Sequence, residues 1–216
     1  MARWQPAKKD VLDALAAEIL HNYGKGRVIV GVDGDSHSGA SGVADDLATT
    51  LREGGRKAFR ASMTNFHRSR SSRDESLPDS PETYYDRAFD YSVFQRVLID
   101  PFRSAGSTSF VLAAFDEKRD TAIQPKWMSS GADATLIVDG VFLNRPELAG
   151  LWNYTIYVET DVEGAEAADA GGITDDGDAA QADALYVRQV SPRSKAIAII
   201  DNSDPEHPLR RFADSC

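Results

Sequence analysis

A β-branched run that passes directly into a Gly- and Ser-rich turn constrains this chain more than any other feature. Residues 28–32 (Val-Ile-Val-Gly-Val) have the pattern of a strand covered on both faces. The turn follows at residues 34–41, and a helix is predicted to begin near Ser41. Its spacing is that of a phosphate-binding loop, G-x-x-x-x-G-K-[S/T]. Ala40 stands where that loop has its lysine.

The turn keeps part of the chemistry of such a loop. Its two glycines allow backbone angles that direct several N–H groups towards one point, and the following helix presents a partly positive N-terminus. The missing lysine removes the full positive charge that would face the β- and γ-phosphates, so phosphoryl transfer loses electrostatic stabilisation. The predicted ligand-binding residues of the loop are Gly34, Asp35, Ser36, Ser38, Gly39, Ala40 and Ser41.

Composition restricts the class of protein and of partner. The 216 residues predict a single α/β domain over 1–216, and no apolar run approaches the roughly 20 residues of a membrane span. The N-terminal residues lack the apolar core of a signal peptide, and the single cysteine, Cys216, excludes a disulfide framework, so a cytoplasmic protein is predicted. The net charge of −10 argues against a nucleic-acid partner.

Hydrophobic periodicity predicts alternating helices and strands along the rest of the chain. Apolar spacing predicts helices at 8–22, from 41 to about 53 and from 81 towards 101. Strands are predicted at 57–63, 134–140, 154–159 and 196–201, and a β-hairpin from 109–115 and 121–123. A strand–helix–strand unit of this kind implies a right-handed crossover and a parallel sheet.

Two stretches have an unusual charge. Residues 146–187 contain no lysine or arginine and accumulate acidic residues between 159 and 183, which favours a mobile or weakly helical segment. The cationic residues Arg68, Arg70 and Arg73 gather instead in a polar loop after the second predicted strand.

The order of the motifs resembles the uridine kinase family, in its bacterial nucleoside-kinase-like branch. The resemblance covers about residues 11–208 and rests on the loop together with residues 65–68, 80–85, 89–91, 136–143, 145–148 and 201–205. It implies a P-loop NTPase-like three-layer α/β fold with a central parallel sheet, a small β-hairpin over the substrate pocket and a lid at about 160–187. It also implies ATP and Mg²⁺ as cofactors and a carboxylate that takes the proton of the nucleoside 5′-hydroxyl.

Three charged roles of that family are missing from this sequence. The loop lysine is Ala40, the segment that reads Asp-Asp-Phe-His in relatives begins here with Thr64 and Asn65, and the lid stretch lacks arginines. Neither a hydroxyl nor an amide accepts a proton as a carboxylate does. The sequence therefore predicts a repurposed scaffold that binds or transforms a small polar ligand, nucleoside-like or phosphate-bearing, without ATP-dependent phosphorylation.

The candidate residues of that site follow from the same comparison. His37 and His67 are candidate acid–base groups, with Asp33 and Asp139 to orient or charge them; hydrogen-bonded loop histidines are the simpler interpretation. If magnesium is bound, its predicted ligands are Ser41 and Asp139. The predicted substrate pocket consists of Thr64, Asn65, Arg68, Tyr85, Asp90, Phe115 and Trp127, and its aromatic members are either ligand-stacking or core residues.

Two alternatives remain open at this point. A slow nucleoside kinase acting on uridine or cytidine would need Arg68, Arg70 or Arg73 to replace the missing charges. A non-catalytic pseudokinase would sense a ligand or use its acidic segment to bind a partner protein, and a homo-oligomer is equally compatible with the sequence.

Overall fold

The computed structural model describes residues 6–72, 80–104, 108–160 and 176–212. Arg73, Cys216 and most of the predicted lid, residues 161–175, lie outside the described residues. The described strands are β1 (Arg27–Gly34), β2 (Ala58–Ser62), β3 (Phe110–Val111), β4 (Phe115–Asp116), β5 (Thr121–Ala122), β6 (Trp127–Met128), β7 (Ala134–Gly140), β8 (Tyr154–Glu159), β9 (Ala198–Asp201) and β10 (Leu209–Arg211).

The described helices are α1 (Lys8–Tyr23), α2 (Ala40–Glu53), α3 (Pro81–Arg87), α4 (Tyr91–Phe94), α5 (Asp100–Arg103), α6 (Asp176–Val190) and α7 (Pro192–Lys195). A π-helical segment, Gln95–Ile99, joins α4 to α5, so the predicted long helical region is interrupted by a change of pitch. Short 3₁₀ turns lie at Met63–Phe66, Arg70–Ser72 and Pro146–Leu148. In the described part of the chain, no helix has the length and apolarity that crossing a membrane requires.

The central sheet has six strands in the order β10-β9-β8-β1-β7-β2. β1 lies between β7 and β8 and pairs with both in parallel. The predicted parallel sheet is therefore confirmed for five strands, while β10, which periodicity did not predict, pairs antiparallel with β9. Because the carboxyl ends of parallel strands share one edge, the loop after β1 meets the ends of β2 and β7 there.

The sheet is buried on both faces, which confirms the three-layer α/β prediction. Val28, Val30 and Val32 face the helices α1 and α2 in one apolar cluster, and Ile29 faces the other cluster, which includes residues of α3 to α6. This alternation arises because successive side chains of a strand point to opposite faces. The continuous apolar run of β1 thus serves two cores at once.

The predicted β-hairpin is present but shorter than expected. β4 pairs antiparallel with β5. A second antiparallel pair flanks this hairpin in sequence, with β3 before it and β6 after it. The described part of the acidic stretch forms α6, whose buried residues include Leu185 and Tyr186. The helical part of the predicted lid is therefore packed against the core.

Candidate functional site

A cavity of about 800 Å³ opens at the carboxyl edge of the central sheet. It extends from the loop after β1 to the hairpin β4–β5, and α1 and the segment after β9 border it on the far side. Twelve of the residues predicted from the sequence line it: Gly34, Asp35, Ser36, His37, Gly39, Ala40, Ser41, Thr64, Asn65, His67, Phe115 and Asp139. The fold therefore gathers most of the predicted site around one cavity.

Glycine is required at both ends of the loop for steric reasons. A Cβ atom at Gly34 would lie 2.3 Å from the hydroxyl of Ser38. Gly39 has a φ of +75°, in the left-handed region, and a Cβ there would lie 2.5 Å from the amide nitrogen of Asn202. The Asn202 amide in turn donates to the carbonyl of Ser38 at 2.9 Å. The buried side chain of Asn202, directly after β9, thus holds the loop in shape.

Most N–H groups of the loop already have an acceptor within the protein. His37 N donates to Asp35 Oδ1 at 2.9 Å, Ser38 N to the Asp35 carbonyl at 3.2 Å, and Ala40 N to Ser38 Oγ at 3.3 Å. Ser36 N donates to Asp183 Oδ2 at 3.2 Å. Four of the six N–H groups from 36 to 41 are therefore satisfied internally, and the other two belong to Gly39 and Ser41.

Asp183 places a carboxylate against the phosphate-type loop. It lies on α6, and besides the backbone N–H it accepts the hydroxyl of Ser36 at 3.0 Å. Its residue exposure is 9%. Burial raises the pKa of this carboxyl to about 6, and the hydrogen bonds from Ser36 oppose that shift. The carboxylate of Asp183 thus takes both donors of Ser36, the third residue of the loop.

The carboxylate of Asp139 forms an ion pair with an arginine side chain of the protein. Arg60 Nη1 lies 2.6 Å from Asp139 Oδ1, and the two side chains are 17% and 4% exposed. Ser41 and Ser62 donate their hydroxyls to the second oxygen of the same carboxylate, Ser62 at 3.3 Å. Thr64 Oγ1 donates to Ser62 Oγ at 3.0 Å. The predicted metal ligands, Ser41 and Asp139, are therefore hydrogen-bonded to each other, with a guanidinium beside them.

Asp33 is buried, at 1% exposure, and is not among the described residues that line the cavity. It accepts the hydroxyl of Tyr186 and the amide of Asn144, the latter at 2.6 Å. Burial raises its pKa to about 6. The structure thus places this predicted acid–base partner as an anchor for α6, without a contact to either histidine.

The two histidines line the same cavity in different surroundings. His67 is 6% exposed, packs edge-on against Phe89 at 4.5 Å between ring centroids, and has Nε2 3.4 Å from Glu117 Oε1. His37 lies in the loop with Nδ1 3.3 Å from Ser36 Oγ. A carboxylate therefore accompanies His67, but it comes from the hairpin and not from the predicted Asp139.

Four predicted pocket residues lie outside the described lining of the cavity. Tyr85 is buried beneath the guanidinium of Arg145, 4.4 Å from its ring centroid. Asp90 caps α4 by accepting from Val93 N at 2.9 Å. Arg68 donates to the carbonyl of Phe89 at 3.2 Å, and Trp127 is 59% exposed on β6. Core packing and capping account for the first two placements.

The structure adds residues that sequence reasoning missed, namely Arg60, Ser62, Glu117, Asp183 and Asn202. Asn202 lies in the segment 201–205 that resembles the family and Asp183 in the acidic stretch, but neither pattern indicated a contact with the loop. Arg60 lies within a short strand and contacts a residue 79 positions away. Partners separated so far in sequence carry no local pattern that would identify them.

The side chains present do not fit a bound magnesium nucleotide. Mg²⁺ prefers near-octahedral oxygen coordination, yet Asp139 is engaged by Arg60 and by two hydroxyls. Over residues 6–72, 80–104, 108–160 and 176–212, no group of three or more His, Cys, Asp or Glu side chains is arranged to hold a metal ion. At the loop, Ala40 supplies no charge, and the carboxylate of Asp183 accepts both the N–H and the hydroxyl of Ser36.

Comparison with known proteins identifies the fold. No family model and no curated protein matches the sequence. Among solved structures, a possible uridine kinase from Bacillus stearothermophilus superposes with a TM-score of 0.70 at 21% identity, over 88% of this chain and 97% of that one.

Two further kinases match less closely. A candidate fructose transport system kinase from Silicibacter sp. TM1040 matches with a TM-score of 0.58 at 26% identity, over 84% and 94% of the two chains. D-glycerate 3-kinase from Cryptococcus neoformans matches with a TM-score of 0.53 at 11% identity, over 83% and 86%. The chain therefore has the fold of P-loop kinases that resemble uridine kinase.

Proposed function

We propose that this protein is a uridine kinase-like P-loop protein that binds a small, polar, nucleoside-like ligand in its 800 Å³ cavity without ATP-dependent phosphorylation. The fold of its structural neighbours supplies the scaffold, and the similarity to a possible uridine kinase supports the class of ligand. The aromatic rings of Tyr84, Phe89 and Phe115 line the hairpin end of the cavity, where they suit a planar base.

One observation carries the proposal: the protein's own charges stand where a kinase would hold its nucleotide and metal. The carboxylate of Asp183 takes a loop N–H that would face a phosphate, and the guanidinium of Arg60 takes the carboxylate that would face Mg²⁺. A magnesium nucleotide would have to displace both. Displacing Asp183 leaves a buried carboxylate without the two donors of Ser36, which is costly in free energy, whereas Arg60 would keep its second ion pair, with Asp45 at 2.8 Å.

The loss of the loop lysine and of the carboxylate base points the same way. Ala40 contributes no charge, and Thr64 is a hydroxyl whose proton is donated to Ser62. Removing a single electrostatic group from a transition state typically costs about 3 kcal/mol, or two to three orders of magnitude in rate. Two such losses would together slow phosphoryl transfer by roughly four to six orders of magnitude if their effects add.

A second candidate function rests on the contact between His67 and Glu117. An imidazole within 3.4 Å of a carboxylate, on the wall of a cavity, is an arrangement suited to general acid–base catalysis. In this version of the proposal, His67 exchanges a proton with the bound ligand, and Glu117 orients the ring and stabilises its protonated form.

The test is a direct assay of phosphoryl transfer from ATP to uridine and to cytidine with magnesium, with products separated by chromatography. The wild-type protein is expected to form no nucleoside monophosphate, while uridine or cytidine raises its melting temperature because binding stabilises the folded state. The matched control is Ala40→Lys combined with Thr64→Asp, which restores the loop lysine and a carboxylate base, two of the three missing charged roles, and is expected to gain transfer activity. Nucleoside monophosphate formed by the wild-type protein would contradict the proposal.

A further inference from the structure

The hydroxyl groups at the loop end of the cavity all point their protons back into the protein. Residues 34–41 and 62–64 contain five hydroxyls, those of Ser36, Ser38, Ser41, Ser62 and Thr64. A hydroxyl has one proton to donate and two lone pairs that accept. Ser36 donates to Asp183 and Ser38 to the Asp35 carbonyl, so these two protons are committed.

The other three hydroxyls form a chain whose direction is fixed by its end. Asp139 is an ion-paired carboxylate and can only accept, so Ser41 and Ser62 must donate to it. Because the proton of Ser62 is used there, Thr64 donates to Ser62. Ser41 and Thr64, which line the cavity, therefore offer it lone pairs and no proton.

The backbone and the acidic side chains reinforce this polarity. Four of the six N–H groups from 36 to 41 donate within the protein. Asp35 and Asp139 also line the cavity at this end, and both are acceptors. A phosphate ester brings negative charge and strong acceptor oxygens, so it meets repulsion and few donors here.

The two lysines of the cavity lining have an acidic partner or lie exposed to solvent. Lys8 is paired with Asp46 at 2.5 Å, and Lys118 is exposed in the turn between β4 and β5. Neither is placed within the hydrogen-bonded chain that ends on Asp139.

His37 belongs to the loop end itself. Because the proton of Ser36 is donated to Asp183, the 3.3 Å contact between Ser36 Oγ and His37 Nδ1 makes Nδ1 the donor, which leaves Nε2 of the neutral imidazole as an acceptor. The side-chain donors Asn65 and His67 belong to the hairpin side of the cavity.

From this arrangement we propose that the loop end of the cavity, formed by Ser36, Ser41, Thr64 and Asp139, is a hydrogen-bond-accepting surface. It selects ligands that present hydroxyl or ammonium groups and rejects their phosphate esters. This inference rests on the proposed function, which it sharpens: the ligand is an unphosphorylated or cationic donor-rich molecule. The loop has thereby changed from an anion site to a site for hydrogen-bond donors.

The first arm of the test varies a single group on one scaffold. Uridine, 5′-amino-5′-deoxyuridine and uridine 5′-monophosphate place a hydroxyl, an ammonium or a phosphate at the same position. Titration calorimetry with the wild-type protein is expected to show that the amine and the alcohol bind at least about tenfold more tightly than the phosphate. Equal or tighter binding of the phosphate overturns the inference.

The second arm uses pyrophosphate, and it decides the matter even if no uridine derivative binds. The wild-type protein is expected to bind no pyrophosphate, and Asp183→Ala, which releases both donors of Ser36, is expected to bind it. Asp183→Asn is the matched control, because it removes the charge but keeps an acceptor oxygen for Ser36, and a smaller gain is expected. Pyrophosphate binding by the wild-type protein, or none by Asp183→Ala, overturns the inference.

The two proposals fail in different ways. If the wild-type protein binds pyrophosphate but transfers no phosphoryl group from ATP, the proposed accepting surface is contradicted and the proposed non-phosphorylating function is not. Phosphorylation of uridine by the wild-type protein removes the proposed function itself.

Discussion

The two ends of the cavity differ in the side chains that surround their polar groups. At the loop end, Ser36 donates to Asp183, and Asp139 accepts from Ser41 and pairs with Arg60. At the hairpin end, aromatic rings enclose the contact between His67 and Glu117. At the loop end, ion pairs and hydroxyl contacts within the protein hold the polar groups, whereas at the hairpin end a histidine–carboxylate contact lies beside aromatic rings.

The largest expected effect concerns the internal cation of the loop end. Arg60→Ala leaves the Asp139 carboxylate, 4% exposed, without its guanidinium, and should lower the free energy of unfolding by about 3 kcal/mol. Chemical denaturation measures this. Added Mg²⁺ should then raise the melting temperature of Arg60→Ala but not that of the wild-type protein, because only the variant has a free carboxylate for the ion.

The control for that variant removes an ion pair that is exposed to solvent. Arg119 pairs with Asp116 at 3.2 Å but is 81% exposed, so Arg119→Ala should change stability by about 0.5 kcal/mol or less. If Mg²⁺ stabilises the wild-type protein as much as Arg60→Ala, Arg60 does not occupy the place of a metal.

The next effect concerns recognition at the hairpin end. Glu117→Gln keeps the shape of the side chain but removes the carboxylate 3.4 Å from His67, and should weaken uridine binding by about tenfold, or ~1.4 kcal/mol. Titration calorimetry measures the change. Glu53→Gln, at an exposed position at the end of α2 and outside the described lining of the cavity, serves as the control and should bind uridine as the wild-type protein does. Unchanged uridine binding by Glu117→Gln would show that Glu117 does not contribute to recognition of the ligand.

A smaller effect is expected in the pH dependence of stability. Burial raises the pKa of Asp183 to about 6, whereas an unfolded aspartate titrates near ~3.9. Between these values the folded protein binds the proton more readily, so the group stabilises the protein as the pH falls and loses that contribution as the pH rises through about 6. From pH 7 to pH 5 the wild-type protein should therefore gain about 1 kcal/mol relative to Asp183→Asn.

Denaturant titrations of both proteins at several pH values check this difference. Comparing the variant with the wild-type protein removes the contribution of Asp33, whose pKa burial also raises to about 6 and which titrates in both. Parallel stability profiles for the two proteins would show that folding does not raise the pKa of Asp183, and would contradict its burial against the loop.

The scaffold could be predicted from the sequence far better than the site. The alternation in β1 and the spacing of Val43, Leu47 and Leu51 in α2 reflect contacts with nearby elements, and such periodicity is readable from sequence. The absent lysine at Ala40 was equally visible. The replacements were not, because Ser36 and Asp183 are 147 residues apart and a solvent-exposed acidic helix would have the same local pattern.

The smallest effect tests an aromatic residue for which the sequence suggested a ligand contact. Trp127 is 59% exposed and is not among the described residues lining the cavity. Trp127→Ala should therefore change stability by no more than about 0.5 kcal/mol and leave uridine binding unaltered. A marked loss of affinity would show that the ligand reaches β6, and that the hairpin closes over it when it binds.

The central claim, that the protein's own charges occupy the places of the phosphate and the metal, is tested most directly by a crystal structure. The wild-type protein would be crystallised with excess ATP, magnesium and uridine. The account predicts that Asp183 still accepts from Ser36, that Arg60 still contacts Asp139, and that no magnesium nucleotide is bound in the loop. A magnesium nucleotide seated against Gly39 and Ser41, with both internal contacts broken, would contradict it.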